Sequence, residues 1–85
     1  MACAVFLRPA GLRDLQDLSP NLRERVESAI DALAENPRPP GCKKLVGCED
    51  EWRVRIGEYR VLYVIDDTKR RVTIARVAHR REAYR

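Results

Sequence analysis

The sequence predicts an α+β fold, a strand–helix–helix unit followed by a three-strand antiparallel meander, with the helices packed on one face of the sheet. Three observations predict it. A proline-started segment from residue 20 repeats apolar residues at helical spacing. From Trp52 onward, strand-forming runs are separated only by short polar turns. Between these halves, Pro37-Arg38-Pro39-Pro40-Gly41 can be neither helix nor central strand. The 85 residues make one domain, spanning 1–85.

The elements follow in order. Cys3 to Leu7 is a short apolar run and a first strand, broken by Arg8-Pro9-Ala10-Gly11. Leu12, Leu15 and Leu18 at spacings of three make Pro9 to Leu18 a short helix, with Pro9 accommodated in its first turn. Ser19 is placed to cap the next helix, and Pro20 suits its first position because proline has no N–H to satisfy. Leu22, Val26, Ala29, Ile30, Leu33 and Ala34 line one face of that helix, opposite Arg23, Glu24, Glu27, Asp31 and Glu35. Asn36-Pro37 ends it. Cys42 to Leu45 reads as a short strand. Trp52 to Ile56 alternates apolar residues with Arg53 and Arg55, the pattern of a sheet with one dry and one charged face. Gly57-Glu58 suits a tight hairpin. Tyr59 to Ile65 is apolar on both faces, as in a central strand. Arg71 to Ala78 forms the last strand, after which His79 to Arg85 leaves the sheet.

A chain this short buries a small core, which leaves a partner protein as a source of extra stability. One histidine and three scattered cysteines show no metal-ligand spacing, so neither metal nor cofactor is expected. The odd cysteine count and the absence of a secretory apolar segment point to the reducing cytoplasm. No stretch is long enough to span a membrane. The net charge of +4 is polarised. From Trp52 on there are ten Lys and Arg against four Asp and Glu; residues 1–51 hold seven against nine. A concentrated positive field favours a polyanion or an acidic protein.

Strand parity sharpens this. If Trp52, Val54 and Ile56 face the helices, Arg53 and Arg55 share the open face. Arg60 follows just past the hairpin. His79, Arg80 and Arg81 emerge at the end of the last strand, with Tyr84 beyond. Together they are expected to form one concave cationic surface. Arginines bind phosphate bidentately and stabilise the extra charge of a phosphoryl transition state. A tyrosine can stack on a base. Arginine stays protonated at neutral pH and is a poor base, so His79 is the expected proton carrier.

These residues resemble a known family. The runs Lys43-Lys44-Leu45, Trp52-Arg53-Val54-Arg55, Gly57-Glu58-Tyr59-Arg60-Val61-Leu62-Tyr63 and Val77-Ala78-His79-Arg80-Arg81-Glu82-Ala83-Tyr84-Arg85 look like the RelE toxins of the RelE/ParE superfamily. The resemblance implies a small cytoplasmic endoribonuclease of a type II toxin–antitoxin system. Such a toxin cleaves mRNA in the ribosomal A site and inhibits translation. It also implies a cognate antitoxin protein as partner, beside the ribosome and mRNA. It casts Arg53, Arg55, Arg60 and Arg80 in phosphate binding and Tyr84 in base stacking. Lys43, Lys44 and Arg81 are expected to contact RNA. Some members carry lysines where this chain has Arg53 and Arg55, which moves the expected proton transfer to His79. Two alternatives share the fold, a ParE-like toxin that inhibits DNA gyrase without nuclease activity and a non-catalytic antitoxin-binding member.

Overall fold

The computed structural model describes residues 3–45 and 51–79. Strand β1 (Ala4–Leu7) leads into helix α1 (Pro9–Gln16) and helix α2 (Pro20–Glu35). Four strands follow: β2 (Lys43–Lys44), β3 (Glu51–Ile56), β4 (Tyr59–Asp66) and β5 (Arg71–His79). They form one mixed sheet in the order β1-β5-β4-β3-β2. β1 runs parallel to β5, and the other pairings are antiparallel. The two-helices-on-a-sheet architecture is the one expected, with the first strand completing the sheet beside the last.

Both helices begin with proline at the first position. Ser19 is the N-cap residue of α2, but its side chain makes no capping bond; its carbonyl accepts the Arg23 N–H at 2.8 Å. Val26, Ile30 and Leu33 of α2 are buried against Val61, Tyr63 and Ile65 of β4 and Val72, Ile74 and Val77 of β5. Each such side chain contributes roughly 1.5–3 kcal/mol by leaving water. Trp52, Val54 and Ile56 pack on the same core, as parity requires. Leu12 does not: it is 45% exposed, because α1 turns Gly11 and Leu15 toward β5 instead.

A β-bulge positions everything at the end of β5. Tyr63 pairs with Ile74 and Leu62 with Arg76, so Ala75 is an extra residue. One extra residue reverses the alternation beyond it. Val72 and Ile74 face the helices before the bulge, and Val77 faces them after it. The helix α1 lies against this bulge. A Cβ on Gly11 would sit 2.9 Å from the Ile74 carbonyl oxygen, a clearance only glycine gives. Asp14 accepts the Val77 N–H at 2.9 Å, covering β5 where β1 has ended. Arg76 donates to both oxygens of the same carboxylate, at 2.6 and 3.2 Å.

Candidate RNA-binding site

On the face of the sheet away from the helices, register brings four cations together. Arg55 pairs with Arg60 across the hairpin, and Lys43 pairs with Arg53. Paired residues project to the same side. Lys43, Arg53, Arg55 and Arg60, with Gly41, line a cleft of about 170 Å³. Gly57 sits at φ +59°, where glycine is favoured, and lets the hairpin close tightly. Its carbonyl accepts the Arg55 Nε–H at 3.1 Å, which orients that guanidinium.

Like charges directly opposite in a sheet repel one another, and an anion between them would relieve that repulsion. Among the described residues, the lining of the cleft includes no carboxylate. Guanidinium groups in fixed positions can grip nonbridging phosphate oxygens and hold the charge that grows on them.

The other expected site residues are placed differently. His79 does not leave the sheet; it is the last residue of β5 and pairs with Tyr59. Because of the bulge at Ala75, both rings lie on the helix-bearing side, 5.3 Å apart and edge to face. His79 lines a second cleft of about 200 Å³ with Asp14, Asp17, Leu18, Tyr59 and Val77. The expectation that His79 shares one surface with the arginines is therefore corrected: the sheet lies between them. Lys44 pairs with Trp52 and so projects away from Lys43. Arg80, Arg81 and Tyr84 lie outside the described residues. Among the described residues, no group of three His, Cys, Asp or Glu side chains is placed to hold a metal ion. No helix among them is long and apolar enough to cross a membrane.

Gly41 is the cleft residue that the sequence reading missed. Its signal was the Pro-Pro-Gly order itself, which favours a reverse turn with glycine at positive φ; Gly41 is found at +89°.

Residues 5–84 match the family model described as the ParE toxin of type II toxin–antitoxin systems, parDE. The chain belongs to the RelE toxins of the RelE/ParE superfamily. The toxin RelE of Mycobacterium tuberculosis is 35% identical over 82 residues, covering 95% of this chain and 84% of that protein. The toxin–antitoxin complex RelBE2 from the same organism contains a chain 33% identical to this one, with a TM-score of 0.79 and coverage of 93% and 99%. The archaeal RelE–RelB complex of Pyrococcus horikoshii OT3 gives 26% identity, a TM-score of 0.84 and coverage of 96% and 99%. The chain is thus a RelE-family toxin of the type II toxin–antitoxin class, with the α+β architecture of its relatives.

Proposed function

We propose that this RelE-family chain is a ribosome-dependent endoribonuclease that cleaves mRNA in the A site and so stops translation. The observation that carries the reading is the cleft lined by Lys43, Arg53, Arg55 and Arg60. In the proposed reaction the 2′-hydroxyl oxygen of one nucleotide attacks the adjacent phosphorus. The bond from phosphorus to the 5′-oxygen of the next nucleotide breaks. The 2′-hydroxyl loses a proton, the departing 5′-oxygen gains one, and a cyclic phosphate remains. Arg53, Arg55 and Arg60 hold the phosphate and offset the charge that develops on it. Lys43 adds a mobile cation at the rim. Arg80 and Tyr84 are proposed to complete the RNA contacts, with Arg81 on the backbone. His79 and Lys44, on the other side of the sheet, are not given a part in holding the scissile phosphate.

The partners proposed are a cognate antitoxin, the ribosome and mRNA, in the cytoplasm. RelE chains of M. tuberculosis and P. horikoshii form complexes with RelB-type antitoxins, which supports the first of these. An antitoxin that covers the cationic cleft would present acidic groups to it.

Primer extension on a translated mRNA after induction of the toxin tests the reading. Cuts within the codons of translated regions are expected, and none in an untranslated copy of the same message. Intact mRNA with altered DNA supercoiling would overturn it in favour of a ParE-like inhibitor of gyrase.

A further inference from the structure

The connector between α2 and β2 is fastened at one end to the helix-bearing side of the sheet and forms the wall of the cleft at the other. On the helix side, the buried Tyr63 hydroxyl donates to the Pro37 carbonyl at 2.8 Å. The Arg38 guanidinium stands 5.1 Å over the Trp52 ring. It also donates two hydrogen bonds to Asp67, at 3.1 and 2.9 Å. The hydrogen-bonded guanidinium holds the Asp67 carboxyl below the ordinary carboxylate range, so the pair is charged at neutral pH. The chain then reverses over Pro39–Cys42, closed by the Cys42 N–H to the Pro39 carbonyl at 3.1 Å. Gly41, within that turn, and Lys43, just after it, lie on the cleft.

Two features make this fastening more than decoration. β2 is only two residues long, so it cannot fix its own position by strand pairing. It also carries Lys43 into a cleft that three arginines line, so where β2 lies decides whether a fourth cation joins them. Both ion-pair partners are solvent-exposed, and such pairs contribute little to stability. What two parallel hydrogen bonds and a stacked ring do supply is a defined direction.

We propose that Arg38, held by Asp67 and Trp52, is a positioning device that sets Lys43 against the arginines, so that the cleft grips a phosphodiester. The proposal rests on the reading of this cleft as the RNA site. It gives Arg38 and Asp67 a role in RNA binding although neither touches the cleft.

The test uses a labelled single-stranded deoxyribonucleotide octamer, which lacks the 2′-hydroxyl and is not cut. Its affinity is read by fluorescence anisotropy across a salt series. Each phosphate contact to a single strand contributes about 0.7 to the slope of log affinity against log salt. Lys43→Ala is expected to lower the slope by about that amount. Arg38→Gln and Asp67→Asn should each weaken binding and lower the slope, while Asp67→Glu restores it. These two variants change net charge in opposite directions, so a pure charge effect would move affinity in opposite directions and overturn the proposal. In the Lys43→Ala background neither should have a further effect; persistence there would also overturn it. If Lys43→Ala itself leaves the slope unchanged, the cleft reading fails and the proposal with it. If Lys43→Ala acts but Arg38→Gln and Asp67→Asn do not, only the positioning role is overturned.

Discussion

The two faces of the sheet come from the same strands and obey opposite rules. On the helix-bearing face, Val61, Tyr63, Ile65, Val72, Ile74 and Val77 are buried beneath the two helices. On the other face, Lys43, Arg53, Arg55 and Arg60 line a cleft. The first face gains free energy by leaving water; the second gathers like charges, which repel one another. Stability is therefore concentrated on one side, and the proposed recognition of RNA on the other. Substitutions on the two sides should separate cleanly into loss of fold and loss of action.

The largest effect is expected deep under α2. Leu33→Ala removes a side chain that is 1% exposed and should lower unfolding free energy by about 2–5 kcal/mol in urea titration. Against a typical total of about 5–15 kcal/mol, that brings so small a domain close to unfolding. A loss below 1 kcal/mol would mean that the face is not the core.

Gly11→Ala should cost about 1–3 kcal/mol, because the new methyl meets the carbonyl oxygens of Ile74 and Ala75 at 2.9 and 3.3 Å. Those atoms are backbone at the bulge and cannot rotate away. A neutral or stabilising outcome would show that α1 does not seat on β5 as described.

Tyr63 couples the helix-bearing face to pH. Burial pushes its phenol pKa well above the ordinary 10.0. Above pH 10 the unfolded chain loses the phenol proton while the folded chain keeps it. Folding then binds more protons than unfolding, and stability falls as pH rises. The contribution is complete below pH 10 and declines above it by about 1.4 kcal/mol per pH unit. Tyr63→Phe should flatten that part of the stability curve between pH 9 and 11, at the cost of about 1 kcal/mol at neutral pH for the lost bond to Pro37. Parallel curves for the two proteins would contradict the assignment.

The smallest effect is expected at His79. Placed on the helix-bearing side beside Tyr59, it should tolerate replacement by alanine with less than a tenfold loss of RNA cleavage. General acid–base catalysts contribute about 10²- to 10⁴-fold, so a loss of that size would put the imidazole back on the reacting atoms.

Most of the fold was legible because the signals were local and periodic. Proline at the start of each helix, the 3.6-residue repeat of α2 and the alternation through Trp52–Ile56 each act within a few residues. The grouping of Arg53, Arg55 and Arg60 followed from parity and a two-residue hairpin. His79 was misplaced for a traceable reason. The last strand was ended at Ala78, whereas β5 runs on to His79, and the extra residue Ala75 turns His79 to the helix-bearing side. The trace of the bulge was present as Val72, Ile74 and then Val77, a step of three among apolar residues that otherwise step by two. The clamp of Arg38 on Trp52 and Asp67 had no comparable signal. It joins residues 14 and 29 positions apart through side-chain geometry alone.

The most direct measurement is RNA cleavage on translating ribosomes beside thermal unfolding for Arg60→Ala. Arg60 contributes to the cationic face and not to the buried one, so cleavage should fall about 10²- to 10³-fold. The unfolding midpoint should move by no more than about 4–8 °C, the equivalent of 1 kcal/mol in a domain of this size. Cleavage within threefold of the parent protein, with the fold intact, would contradict the division of the sheet into a structural face and an RNA-gripping face.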